Sequence, residues 1–321
     1  MKMATKLPPM PGLLLDWFPG ESLYSLIARE HSISGRKKAV ATINHFFGMA
    51  KERGLKDGRT EMDCLMERTE GALGPIDKIL KERTILRYYR PFLRQRERRL
   101  VHPGKFGGVD MLKFPLGLHT GRYLMLYPLK GCRACVEEDR TTTGMPYWRL
   151  EHQYPGVWVC LKHDQPLFRT TALPAASDRF HLVTPNVADL SEMPGHLRDP
   201  GRFQKFRCLA EFVVSITTQF EAGLDPMEDI RKRFYTFADS SGLVTGTSKL
   251  RGYHHSKVGA ISRRFEHFMP TFNDAPEFGA MFPTLHIAHN YVSRYLNAES
   301  RLYPNEHLFL AAWVEFERIG A

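Results

Sequence analysis

Hydrophobic positions along the chain recur mainly at helical spacing. After Gly20-Glu21-Ser22, the residues Leu23, Leu26 and Ile27 fall on one face of a helix. Ser22 can cap the orphan N–H groups, and Glu21 suits the positive end of the helix dipole. Ser32-Ile33-Ser34-Gly35 ends this element. A second amphipathic helix follows, with Ala39, Val40, Ile43, Phe46 and Phe47 as its buried face and Arg36, Lys37 and Lys38 at its start. A polar loop is expected over 50–60 and a helix over about 60–73, closed by Gly74-Pro75. From Ile76 to Arg99 the pattern stays helical until Arg90-Pro91, where the ring forces a bend.

The middle of the chain reads differently. Residues 101–121 are rich in Gly and Pro and lack periodicity, and Arg122 to Tyr127 form an extended lead-in. Tyr147 to Gln153 read as a short helix, and Val157-Trp158-Val159 as extended. Helical spacing returns with Phe206, Leu209, Phe212, Val213, Ile216 and Phe220, then near 226–239, 256–269, 286–296 and 305–316. Pro304 suits a first helical position, where its missing N–H costs nothing. The fold class is therefore mainly α. It comprises an extended arm (1–19), an N-terminal helical, helix-turn-helix-like domain (20–120), a central zinc-knuckle region with short strands (121–170), a loop-rich linker (171–204) and a C-terminal helical domain (205–321).

The central region owes its assignment to Cys132-x-x-Cys135 and, after 24 intervening residues, Cys160-x-x-His163. Two knuckles supply the four soft ligands of tetrahedral zinc, Cys3His, with a spacer slightly above the usual range of about 15–20. The bland alternative is a set of unrelated core cysteines, since free Cys is often a small buried hydrophobe. Disulfides are disfavoured because no signal-peptide pattern is present and Cys64 and Cys208 stand alone in apolar contexts. His152 is a rival ligand without a knuckle partner.

Composition adds charge to this picture. The 321 residues carry a formal net charge of +10, a balance that attracts polyanions such as nucleic acid. No apolar run approaches the roughly 18–20 residues of a membrane span, so a soluble, cytoplasmic protein is expected. Between Lys81 and Lys105 lie nine Lys or Arg against two Glu, interleaved with Tyr88, Tyr89 and Phe92. Arg83, Arg87, Arg90, Arg94, Arg96, Arg98 and Arg99 are candidates for phosphate contact with aromatic stacking; the alternative is a solvated helix face. Arg36, Lys37 and Lys38 are the matching candidates at the second helix, where helix, short turn and basic start have helix-turn-helix shape, as any αα-hairpin does.

Catalytic patterns are missing. No His-Glu-x-x-His and no phosphate-binding Gly-rich Lys motif occurs, and no His-x-Glu partners the knuckles as in a zinc deaminase. Four protein ligands leave zinc no open position. Glu137, Glu138 and Asp139 are adjacent acids of the kind that usually form surface charge. The expectation is a non-enzyme.

The motifs together resemble the TniQ/TnsD family of bacterial transposition proteins. They are Pro19-Gly20-Glu21-Ser22-Leu23-Tyr24-Ser25-Leu26 with Ala28-Arg29, Cys132-x-x-Cys135 with Glu138-Asp139, Pro146-Tyr147-Trp148-Arg149-Leu150, and Cys160-Leu161-Lys162-His163-Asp164. Looser similarity extends to Tyr303 through Leu310. Where the family often has proline inside the knuckles, Arg133 and Leu161 stand here. The resemblance implies a target-selection adaptor that marks an insertion site on double-stranded DNA and recruits a TnsC-like AAA+ ATPase, which brings the transposase. In one branch the protein reads an attachment site itself and usually continues past this length; in another it joins a CRISPR RNA-guided effector complex. A zinc-stabilised DNA-binding regulator unrelated to transposition is the remaining alternative.

Overall fold

In the computed structural model the described residues are 16–48, 61–98, 129–171, 181–192, 197–242, 244–245, 252–253, 255–272, 275, 292–294 and 303–319. Most of the expected arm, the 50–60 loop, the 101–121 segment, the 122–127 lead-in and most of the 286–296 helix lie outside them.

The N-terminal elements are α1 (Leu23–Ile33), α2 (Ala39–Phe47), α3 (Glu61–Arg68), α4 (Ile76–Arg83), α5 (Leu86–Tyr89) and α6 (Gln95–Arg98). Ser22 caps α1, its hydroxyl accepting from the Ser25 N–H. Glu21 does more than face a dipole. It is fully buried, and its carboxylate accepts from the Ser25 hydroxyl, the Phe18 N–H, and Nε and Nη2 of Arg29 at 2.7 and 2.9 Å. In α2 the inward positions are Ala39, Thr42 and Phe46, while Val40 is 41% exposed, contrary to expectation. Thr42 turns inward because its hydroxyl meets His31 Nδ1 at 2.7 Å.

The helix expected from Ile76 breaks before Arg90. Thr84 is extended, its hydroxyl donating to Leu80 O and accepting from Leu86 N–H. This short β-branched side chain offers the backbone a local alternative to the helix ladder. A 3-10 turn, Arg90–Phe92, then accommodates Pro91.

The central elements are β1 (Lys130–Gly131), α7 (Arg133–Thr142), β2 (Val159–Cys160), β3 (Gln165–Pro166), β4 (Phe168–Thr170) and β5 (Leu190–Ser191). β1, β4 and β5 form an antiparallel sheet in that order, with Gly131 opposite Phe168 and Thr170 opposite Leu190; β2 and β3 form a hairpin. The helix expected over Tyr147–Gln153 is only a 3-10 turn, Glu151–Gln153. The preceding residues pair instead with the N-terminal motif. Ser22 N–H donates to Trp148 O, Leu150 N–H to Gly20 O, and Trp148 N–H to the Ser25 hydroxyl. These long-range bonds use the backbone groups that a local helix would have consumed. Residues 181–191 wrap over the same place, His181 O accepting from the Tyr24 hydroxyl and Val183 O from Trp148 Nε1.

The C-terminal elements are α8 (Pro200–Glu221), α9 (Pro226–Ser240), β6 (Val244–Thr245), β7 (Gly252–Tyr253), α10 (His255–Phe268) and α11 (Pro304–Ile319). Asp199 and Asp225 cap α8 and α9, and each helix starts with the proline that follows. Pro304 likewise opens α11. One apolar core runs from Leu26 through Trp158 to Phe316. Gly156, at φ +82°, lets the turn before β2 approach Leu209 and Leu308 so closely that a Cβ there would lie 3.3–3.4 Å from their side chains. The central region is thereby seated on α8 and α11.

Candidate metal centre

Two knuckles present the four ligand candidates. Cys132 is the N-cap of α7, and Cys135 lies in its first turn. Cys160 ends β2, and His163 sits in the loop that returns to β3, where Cys160 pairs with Gln165. Asp164 closes that loop with φ +50° and is held by Arg207 Nε at 2.7 Å. Short strands and a helix terminus thus fix side chains that are far apart in the chain.

One atom from each residue lies within 4.8 Å of the others. His163 Nδ1 is 3.6 Å from Cys132 Sγ, 3.2 Å from Cys135 Sγ and 3.7 Å from Cys160 Sγ, and Cys135 Sγ is 3.7 Å from Cys160 Sγ. Zinc–sulfur bonds of about 2.3 Å and zinc–nitrogen bonds of about 2.0–2.1 Å give tetrahedral edges of about 3.6–3.8 Å. Three of the four separations match these edges and the Cys135–His163 one is short, so the set suits a tetrahedral ion whose four positions these residues would fill. Without an ion, three buried thiols compete for protons. Hydrogen bonds from Cys135 and Cys160 push the Cys132 thiol well down, while those to Cys132 and Cys160 push Cys135 up. A divalent cation resolves this conflict by holding every sulfur as thiolate.

A second layer supports the ligands. Glu138 Oε2 is 3.3 Å from His163 Nε2, the carboxylate–histidine pairing that orients a metal-bound ring. Lys162, which also bonds Glu138, is the main reason that this carboxyl lies below its ordinary range. Asp139, expected at the surface, is 2% exposed and forked onto Arg149 with two bonds of 2.8 Å. Burial opposes the Arg149 charge and the Asp139 bonds restore it, raising its pKa. His152 is buried and hydrogen-bonded to Cys160; desolvation favours its neutral ring. Lys130, 1% exposed, donates Nζ to Tyr154 O and Val157 O, tying the turn before β2 to β1. The Glu138-Asp139 motif was the sequence signal for this layer; His152 stood out only as a rival ligand, and nothing local marked Lys130.

The TniQ family model matches residues 13–167, a span that includes all four donors. The chain carries a TniQ domain. No curated protein matches the chain significantly. A TniQ domain is the mark of a transposition-associated adaptor family. Among the described residues no helix is long and apolar enough to cross a membrane.

Within the TniQ domain the basic candidates separate into groups. Arg36 Nη1 donates to both carboxylate oxygens of Glu30 at 2.7 and 2.9 Å, whereas Lys37 and Lys38 are exposed. Arg83 donates to Phe18 O and lies over the Trp17 ring. Arg87 is forked onto Glu221 at 2.7 and 2.8 Å, across to α8. Arg90 and Arg98 both lie over the Phe220 ring, at 5.1 and 4.6 Å. Arg94 is exposed. Arg96 is part of α6, and Arg99 lies outside the described residues. The interleaved aromatics do not form a stacking platform. Tyr88 and Tyr89 are buried in the core, where Tyr88 packs against Tyr154, and Phe92 is half-buried. Helical geometry turned these rings inward and left the arginines at the boundary with α8.

Proposed function

We propose that this protein is a target-selection adaptor of bacterial transposition. It binds double-stranded target DNA and recruits a TnsC-like AAA+ ATPase, which brings the transposase. The match to the TniQ family over residues 13–167 carries this reading. The net charge of +10 and the exposed Lys37, Lys38 and Arg94 support contact with a polyanion. The Cys3His donor set supports zinc in a structural role: a filled tetrahedron pins a loop-rich region and leaves no position for an activated water. We infer from the same feature that the protein is not an enzyme and works in the bacterial cytoplasm. The N-terminal helices are the proposed ATPase-docking surface.

A second reading has one observation in its favour. Arg36, Arg83 and Arg87 are engaged within the protein, which leaves fewer free cations for reading DNA than the sequence offers. A member joined to a CRISPR RNA-guided effector complex needs no address of its own. Two measurements on the full chain separate the readings: selection from a pool of genomic fragments with excess competitor, and co-sedimentation with the AAA+ ATPase on DNA. Recovery of one fragment supports direct targeting, and sequence-blind binding supports the guided branch. Absence of ATPase co-sedimentation overturns both and leaves a regulator unrelated to transposition.

A further inference from the structure

Residues Lys81, Arg83, Arg87 and Arg90 face an open cleft of about 500 Å³ against the C-terminal end of α8, with Glu82 and Glu221 as the carboxylates on its wall. These cations are not equivalent. Lys81 is paired with Asp77 one turn earlier, and Arg87 is clamped by Glu221, with Glu151 3.6 Å away. Arg90 meets no carboxylate within ion-pair distance among the described residues; its guanidinium rests on Phe220. Arg98 approaches the same ring and, among the described residues, donates to the main-chain carbonyls of Leu93 and Pro91. Arg83 also spends its bonds on main-chain oxygens, those of Phe18 and Glu21.

Two guanidiniums therefore approach one aromatic ring and repel each other, Arg90 from the cleft and Arg98 from outside its lining. Arg90 is half-buried, and desolvation together with Arg98 disfavours its charge, offset in part by the more distant Asp77 and Glu221. A guanidinium cannot discharge itself by losing a proton at neutral pH. A partly desolvated cation beside a like charge is a half-made ion pair, and the open cleft is where the other half fits.

We propose that this cleft is a phosphate-binding site, with Arg90 as its principal ligand, Arg98 and Arg83 supplying further charge, and Arg87 holding the wall in place. The proposal rests on the reading of the chain as a DNA-binding adaptor and locates the grip. A carboxylate is satisfied by one planar fork, as Glu221 is by Arg87; guanidiniums without carboxylate partners among the described residues, Arg83 and Arg90 in the lining and Arg98 beside it, suit a phosphate, which accepts from several sides. The exposed Arg94 continues the charge along the chain beyond the cleft, as an extended polyanion requires and a single acidic side chain does not.

The test uses the full chain, titrated by calorimetry with inorganic pyrophosphate and by fluorescence anisotropy with duplex DNA at several salt concentrations. Arg90→Gln removes the charge at similar length, Arg90→Lys keeps it, and Lys232→Gln, on α9 and paired with Glu228, is the control outside the cleft; thermal melts verify that each is folded. Pyrophosphate affinity should fall about tenfold or more in Arg90→Gln, recover in part in Arg90→Lys and stay unchanged in Lys232→Gln. On DNA, Arg90→Gln should lower the log–log salt slope by about one. Pyrophosphate binding that ignores Arg90, or an acidic peptide bound through Arg90 in place of pyrophosphate, overturns the proposal. DNA binding that survives Arg90→Gln with an unchanged salt slope removes the cleft and leaves the adaptor reading standing. Pyrophosphate binding through Arg90 without any DNA binding removes the adaptor's DNA contact and assigns the cleft to a free phosphate compound.

Discussion

The region around the knuckles and the C-terminal helices share one core but are held by different forces. Near the knuckles, Glu21, Arg29, Lys130 and Asp139 are each no more than 2% exposed, and every one is ion-paired or bonded to main-chain oxygen. Strands there are two or three residues long. In α8 to α11 and the 3-10 turn after α10 the buried aromatic positions include Phe206, Phe234, Phe265, Phe272 and Trp313, with T-shaped or tilted ring contacts at 5.0–5.9 Å between Phe206 and Phe272, Phe265 and Trp313, and Phe272 and Phe309. Charges such as Arg233 and Glu315 pair near the surface. Directional contacts specify the first region and apolar volume the second. A loop-rich segment that buries little regular structure needs strong local constraints, and an ion held by the Cys3His donor set would supply them.

The largest expected effect is loss of the ion. Cys132→Ser, or a strong chelator, should release the metal and open residues 129–170 to proteolysis, while α8 to α11 keep much of their helicity. Structural zinc contributes apparent binding energies on the order of 10 kcal/mol in isolated fingers, so partial compensation by packing will not hide the loss. Metal analysis and limited proteolysis check this. A variant with full metal content and unchanged cleavage would sink the structural role of Cys132.

A pair of substitutions sharpens the contrast. Arg29→Ala strands the Glu21 carboxylate in the core and should cost about 3–5 kcal/mol, and Glu21→Gln combined with Arg29→Met should recover part of it, because the buried charge is gone. Trp313→Ala should cost a similar 3–5 kcal/mol through a cavity. Denaturant unfolding measures all three, and failure of the double variant to regain stability over Arg29→Ala would place Arg29 with Trp313 as a residue that acts by packing.

The same contrast explains what could be read in the chain. Helices α8, α9, α10 and α11 announced themselves through 3.6-residue spacing because they bury a continuous apolar face, and the four donors through knuckle spacing. What escaped were the non-local polar contacts. Glu21 looked like a dipole partner and Asp139 like surface charge, since their arginines lie eight and ten positions away and only folding brings them in. Tyr147–Gln153 had a helical look, yet the backbone of Ser22 and Gly20, more than a hundred residues earlier, claims its hydrogen bonds. Periodicity reports burial of apolar faces and is silent on polar partners supplied from a distance.

The smallest expected effect concerns acid. His307, half-buried in the first turn of α11 with its ring 6.1 Å from Phe92, has its pKa lowered to about 3, by desolvation first and then by Arg231 and Arg294. An unfolded histidine titrates near 6.5, so between these values the unfolded chain binds more protons than the native one. The contribution of His307 to stability is therefore complete above about pH 6.5 and is lost progressively as the pH falls towards 3. The expected loss is about 1–2 kcal/mol. The metal centre also weakens in acid, since its ligands must be deprotonated, but that contribution is common to wild type and a His307→Gln variant and cancels between them. Their difference in unfolding free energy at pH 7 should change by about 1 kcal/mol or more at pH 5, in favour of the variant. An identical difference at both pH values would mean that His307 is protonated equally in the folded and unfolded chain, and that the aromatic region, unlike the knuckles, is indifferent to charge.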